Sequence, residues 1–190
     1  MMKKTVVVGL VLSLLASCGG GGGGADASVK GFLDSMKSGQ FDKMAQYAEG
    51  SNGQSISNSL NKMPKDQRDL VGLMFSKLNY KIIKTDVQGD NATVALTLTN
   101  TDMKAVMAKV MVDMVPAMMS AKNKTAAEQQ TIASDLFKKT LNDGANKTTS
   151  TDTSVKVKKI SGKWQIAKDG NKAFGAAFLG GLRDLGALAQ

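Results

Sequence analysis

The sequence predicts an α+β domain, because helical and strand periodicities occupy separate blocks of the chain. Three observations lead to this prediction. Apolar residues recur at helical spacing near the N-terminus, two alternating stretches flank a short turn at residues 88–90, and a long helical stretch separates this strand pair from a second one near residue 160. Strands joined by short turns pair antiparallel, so we expect helices together with an antiparallel sheet.

The N-terminal block predicts helices joined by a loop. Apolar residues over 29–36 fall at i, i+3, i+4 and i+7 on one helix face, and Asp26 or Ser28 is suited to cap its start. Residues 49–59 are rich in Ser, Asn and Gly, which predicts a loop or a frayed turn. Pro64 fits the first turn of a further helix, because the missing N–H has no partner there.

Two antiparallel hairpins are predicted. Residues 78–87 and 91–100 have the alternation of strands and are joined by a short turn that contains Gly and Asp. The second hairpin begins at Thr151, where valines alternate with lysines, and turns at Ser161-Gly162. We expect the strand that follows this turn to complete the hairpin.

A helical pair is predicted between the two hairpins. The first helix spans 102–120, and Asn100, Thr101 and Asp102 supply side chains that can cap its start. It is kinked or weakened by Pro116, which cannot donate to the preceding turn. Thr125 begins a capping-box pattern that opens the second helix, over 125–142. A last helical pattern, over 173–188, is interrupted by glycines and is intrinsically weak.

Methionine and valine follow a 3-4 spacing along the helix at 102–120, and two interpretations of this stripe remain open. Methionine at helical spacing is most often core, here the seam with the second helix of the pair. Methionine is also flexible and polarizable, which suits an adaptable apolar surface. In that case Met107, Met111 and Met114 line a groove for an apolar ligand or partner.

The first residues have the layout of a signal peptide. Two lysines precede an apolar run over 6–15 that is too short to be a good membrane span, and small residues follow it. The chain has one cysteine, placed where these small residues end. This junction resembles the lipobox of bacterial lipoproteins at all four of its positions, Leu15, Ala16, Ser17 and Cys18.

The lipobox resemblance implies that residues 1–17 are removed and that Cys18 carries a diacylglycerol thioether and an acylated amino terminus. Two or more acyl chains anchor a protein stably, so the bilayer is an expected partner. Residues 18–25 then form a lipidated, glycine-rich tether, and 26–190 form a single domain with a helical insertion over 102–143. The alternative is an ordinary secretory signal followed by an incidental cysteine.

The composition excludes several kinds of chemistry. The chain has no histidine, which removes the commonest general base and the commonest metal ligand, and an acylated Cys18 leaves no thiol. We therefore expect no catalytic residues, no metal and no cofactor. The net charge is +9 and comes almost entirely from lysines. Lysines suit a solvated surface or anionic headgroups, whereas nucleic acid is not expected without arginine forks and stacking aromatics.

The order of elements resembles the nuclear transport factor 2-like (NTF2-like) superfamily, and specifically its uncharacterised bacterial lipoproteins. Four segments carry the resemblance, which covers about residues 26–168: 29–33, 37–43, 89–94 and 161–166. It implies a cone in which a curved antiparallel sheet wraps around the N-terminal helices. Some members transfer protons with a tyrosine and a carboxylic acid, but no acid stands in a recognisable relation to either tyrosine of this sequence.

These observations predict a non-enzymatic lipoprotein of the cell envelope that binds a small apolar ligand or lipid in the cone. The alternative is an interaction protein that contacts an envelope protein or an anionic surface through its lysines. In a source with two membranes we expect the outer membrane, because Gly19 rather than aspartate follows Cys18; with one membrane we expect its outer leaflet. The candidate pocket or groove residues are Tyr47, Tyr80, Met107, Met111, Met114 and Trp164.

Overall fold

The computed structural model describes residues 24–181, apart from the side chain of Asn52. The predicted signal peptide, its cleavage motif Leu15, Ala16, Ser17 and Cys18, and most of the tether lie outside the described residues, as do residues 182–190. Within 24–181, no helix combines the length and the apolar character needed to cross a membrane.

The described part of the chain has an α+β architecture with helices before, between and after two strand pairs. The elements are α1 (Ala25–Lys37), α2 (Phe41–Ala45), α3 (Ser51–Lys62), α4 (Lys65–Phe75), β1 (Asn79–Gln88), β2 (Asn91–Thr101), α5 (Met103–Ser120), α6 (Ala126–Asn142), β3 (Thr148–Ile160), β4 (Lys163–Ile166) and α7 (Lys172–Phe178). The predicted class, both hairpins and the helical pair between them are confirmed.

The four strands form one antiparallel sheet in the order β1-β2-β3-β4. The helical pair connects β2 to β3, and these two strands are nevertheless neighbours, with Val94 opposite Val155. The alternation predicted for β2 is observed, because Val94, Leu96 and Leu98 are at most 1% exposed. A register shift between Ile82 and Lys84 marks a bulge in the edge strand β1, a feature that discourages pairing with another chain.

The main core lies between the helices and one face of this sheet. Helix α1 contacts every strand, and its Val29 and Leu33 are fully buried. Helix α7 adds Phe178, whose ring stacks on Phe75 at 4.5 Å and lies 5.8 Å from the ring of Phe32. The inner face of the sheet is therefore covered by packed side chains from both ends of the described chain.

The loop predicted over 49–59 is wrong, because α3 occupies most of it. Its Ser57 is fully buried and donates a hydrogen bond to the carboxylate of Asp42 in α2. Gly53 allows close packing, since a Cβ there would lie 2.5 Å from the carbonyl oxygen of Ala45. Tertiary contacts of this kind override a composition that has little intrinsic preference for helix.

The predicted cap of α1 is also wrong. The helix begins at Ala25 with Gly24 as its N-cap and has no side-chain cap. The carboxylate of Asp26 instead accepts a hydrogen bond from Lys30 within the first turns, and Ser28 is buried against the core.

The helical pair has the predicted ends. Asp102 caps α5 by accepting from the N–H of Ala105, and Thr125 and Glu128 form the reciprocal capping box of α6. Helix α5 continues through Pro116 to Ser120.

The C-terminal helix is shorter than the pattern over 173–188 predicts. Helix α7 ends at Phe178, where Gly180 and Gly181 adopt positive φ angles of 57° and 77°. The carbonyl of Gly180 accepts the N–H of Met103, which ties the end of the described chain to the first turn of α5. The rest of the predicted helix lies outside the described residues.

Candidate functional site

Helix α5 contributes one side to a small second core. Met103, Val106 and Val110 are at most 5% exposed and form this core with Leu141 of α6, while the partly buried Phe137 packs against it. The core interpretation of the methionine stripe is therefore correct for this side of the helix.

A second side of α5 is apolar and open to solvent. Met111, Val112, Val115 and Met119 are 69%, 71%, 63% and 71% exposed. Met111, Val115 and Met119 belong to a shallow groove of about 720 Å³, which together with the neighbouring exposed Val112 we call the α5 apolar face. The lining residues of the groove are Met107, Val110, Met111, Met114, Val115, Met118 and Met119. Contiguous exposed apolar residues, unlike scattered ones, are candidates for an interaction site.

Charged residues border this face without entering it. Lys109 bonds Asp143 at 2.5 Å on the edge of α5 that faces the end of α6, and Asp113 lies beside them. The hydrogen bond from Lys109 is the main reason that the pKa of Asp143 lies below its ordinary value, and the same bond raises the pKa of Lys109. The turn after α5 carries two exposed lysines, Lys122 and Lys124.

The six candidate residues occupy different places. Met107, Met111 and Met114 share the α5 apolar face, whereas the three aromatic candidates are absent from its lining. Tyr47 packs over Gly31, where a Cβ would lie 2.3 Å from its ring.

The other two aromatic candidates, Tyr80 and Trp164, both pack against the main core as partly buried residues. The Trp164 ring lies 5.9 Å from the ammonium group of Lys159, within cation–π range.

The sequence reasoning missed one tyrosine–carboxylate pair. The hydroxyl of Tyr80 donates to Asp34 at 2.8 Å, which joins β1 to α1 across 46 positions of sequence. Burial, this hydrogen bond and the nearby negative charge raise the pKa of Tyr80 to about 12. The spacing gave no signal, because only the fold brings these two elements together. A phenol that is harder to ionise is a weaker proton donor, so the pair has the character of a structural contact.

A second cavity, of about 620 Å³, lies at the far end of the sheet and has a mixed lining that includes charged side chains. Its lining residues are Asp86, Gln88, Asn91, Ala92, Thr93, Lys156, Val157, Lys158, Ala167, Asp169 and Gly170. Both charge signs are present, so it does not have the character of an apolar pocket. Over residues 24–181, no group of three or more acidic side chains is placed to hold a metal ion.

Comparisons with known proteins establish the fold alone. No protein-family model matches the chain, and no curated protein matches it. Among solved structures, a candidate lipoprotein (ycdA) of Bacillus subtilis is similar, with a TM-score of 0.54 and 14% sequence identity. The match covers 79% of this chain and 54% of that protein, so the chain spans about half the length of its structural relative.

Proposed function

We propose that this chain is an extracytoplasmic lipoprotein, held at a membrane surface by acyl groups on Cys18. The signal-peptide layout and the four-residue match that ends at Cys18 support this proposal. A further support is the similar fold of a Bacillus subtilis protein described as a candidate lipoprotein. The expected location is the outer membrane in an organism with two membranes, or the outer leaflet of the membrane in an organism with one.

The domain that follows the tether, which we call the head, is a non-enzymatic module that binds apolar molecules or surfaces. The observation that carries this proposal is the α5 apolar face, where four large apolar side chains are each more than 60% exposed. Methionine is well suited to such a role, because its flexible thioether adapts to irregular apolar partners. The absence of histidine from the sequence and the raised pKa of Tyr80 support a role without catalysis.

We place the apolar contact on α5 rather than in the mouth of a cone. The arrangement of N-terminal helices against one antiparallel sheet favours an NTF2-like head, with the α5–α6 pair inserted between β2 and β3. The inner face of that sheet is already packed by α1 and by the phenylalanine rings of α7. The cavity at the far end of the sheet is bordered by carboxylates and lysines, so α5 offers the better apolar contact.

The anchor is tested by metabolic labelling with an alkyne fatty acid. We expect the wild-type protein to be labelled and to sediment with membranes, and Cys18→Ala to lose both the label and its normal maturation, because the thioether cannot form. Ser17→Ala, which keeps a small residue before an unchanged Cys18, controls for general effects of substitution near the cleavage site. An unlabelled wild-type protein, or normal membrane retention of Cys18→Ala, would reject the anchor.

The apolar face is tested separately by titration with the neutral dye Nile red. Met111→Glu introduces a charge into the centre of the face, so we expect a several-fold loss of dye fluorescence at saturation. Gln130→Glu on the exposed side of α6 adds the same charge outside the face and should leave the fluorescence unchanged. Equal fluorescence from the two variants would mean that the dye binds elsewhere, against the proposal.

A further inference from the structure

From the shape and surroundings of the α5 apolar face, we infer that its occupant is the bilayer surface itself, so that α5 lies in the headgroup region of the membrane that holds the anchor. This inference rests on the proposed lipoprotein function. It adds a second, non-covalent membrane contact and fixes which side of the head faces the lipid.

The face is too open to hold a small ligand tightly. Typical ligand sites bury about 70–90% of the surface of a small molecule. Here a single helix supplies every lining residue, and Met111 and Met119 are 69% and 71% exposed. A small molecule such as a dye remains partly in water on this face and binds weakly, so an extended apolar body is the better occupant.

The face is also too small for a stable dimer. Met107 and Met119 are twelve positions apart, which at about 1.5 Å per residue is roughly 18 Å of helix. The groove has seven lining residues. A standard protein interface takes about 20–30 residues from each partner. A second copy of this chain would therefore need a much larger surface than α5 provides.

The charges around the face match an anionic membrane. Lys122 and Lys124 are exposed immediately after α5, in the turn that follows Met118 and Met119. Lys124 also lies 4.0 Å from the carboxylate of Glu128, whereas Lys122 forms no ion pair within residues 24–181. Lysines beside apolar surface can lay their aliphatic stems along it while their ammonium groups stay in the polar layer. Each lysine close to an anionic leaflet contributes about 1 kcal/mol of attraction. The apolar residues enter the interface while these lysines remain with the headgroups.

The tether explains how so small an apolar face can stay in contact with the membrane. Six residues, all glycine, separate Cys18 from Ala25. Fully extended, six residues reach only about 20 Å, so the anchor keeps the head beside the headgroups. Linking two binding elements through a short segment raises the effective concentration of one for the other to the millimolar range. A face whose dissociation constant for free membranes lies below that range is then occupied most of the time.

The test measures the depth of α5 in the membrane. In the native chain the thiol of Cys18 is acylated, so Val112→Cys supplies one free thiol for the environment-sensitive dye NBD. The acylated protein is reconstituted into phosphatidylcholine vesicles that contain a minority of phosphatidylglycerol, and Thr131→Cys on the exposed side of α6 is the matched control. We expect blue-shifted, several-fold brighter emission at position 112, quenched by doxyl-labelled lipid, and aqueous emission at position 131.

Flotation of the same samples separates the two proposals. If the protein fails to float with the vesicles, the anchor and the function that depends on it are rejected. If it floats but position 112 is as aqueous as position 131, the anchor stands and the docking of α5 is rejected. A blue shift at position 112 that doxyl-labelled lipid in the vesicles does not quench would assign the face to a protein contact and also reject the inference.

Discussion

The two helices of the α5–α6 hairpin differ in the side that they turn away from the domain. On α6 the exposed side is polar, as is normal for a helix that packs one face on a core; it includes Gln130, Thr131, Asp135 and Lys139. On α5 the exposed side is apolar from Met111 to Met119. Both helices share one seam, so the difference does not arise from their packing against each other.

This difference shows which helix of the hairpin has all of its apolar surface covered. The outward side of α6 is polar and is hydrated by water, and the apolar residues of the seam are covered because α5 and α6 pack against each other. A helix that is apolar on both of its sides is normally buried in a core or a membrane. Helix α5 therefore has an outward apolar side that nothing in the described chain covers, whereas the outward side of α6 is polar.

The largest effect is expected from substituting the same residue type on the two sides of α5. Val106 is 1% exposed and lies in the seam, whereas Val112 is 71% exposed. Val106→Asp buries an unpaired carboxylate, which costs several kcal/mol, so we expect a loss of at least about 3 kcal/mol or failure to fold. Val112→Asp should change the free energy of unfolding by less than about 0.5 kcal/mol. Urea unfolding followed by far-UV circular dichroism measures both.

The contrast between these variants decides whether the outward side of α5 is free in the isolated protein. A loss of stability in Val112→Asp that equals the loss in Val106→Asp would show that this side is already buried in solution. The comparison between α5 and α6 would then be wrong. Val112→Ala distinguishes a general effect at this position from the effect of the charge, because alanine is apolar and a better helix former.

The sequence predicted this hairpin well because its signals are local. The capping box at Thr125 and the cap at Asp102 act within one helical turn, and the structure has both. The 3-4 spacing of methionine and valine also predicted a helix. The spacing could not predict which apolar side of α5 is buried, because that depends on how much apolar surface of α6 packs against it.

Non-local contacts account for what the sequence could not predict. Helix α3 forms from residues with weak helix preference because Ser57 and Asn61 both donate to Asp42, more than ten positions earlier in the chain. The contact between Tyr80 and Asp34 likewise depends on the packing of β1 beside α1. Neither contact leaves a periodic pattern, so neither is visible before the chain is folded.

The smallest effect is expected at the polar edge of α5, where Lys109 bonds Asp143. The bond lowers the folded-state pKa of Asp143 from its ordinary 3.8, so its contribution is present above that value and is lost as the pH falls through the folded pKa. The pKa of Lys109 is raised from 10.5, so its contribution is present below that value and is lost as the pH rises through the folded pKa. The pair therefore stabilises the hairpin between these limits.

Asp143→Asn removes the charge while an amide oxygen can still accept from the N–H of Ala145, the other local contact of this side chain. We expect slightly weaker stability at neutral pH and low salt, because both partners of this ion pair are solvent-screened. The difference from wild type should vanish in strong acid and at high salt. Asp113→Asn, which affects Lys109 only through a weaker charge interaction, should have a smaller effect. A loss of stability in Asp143→Asn that depends on neither pH nor salt would mean that Asp143 acts through the geometry of its turn. The ion pair with Lys109 would then contribute nothing to stability.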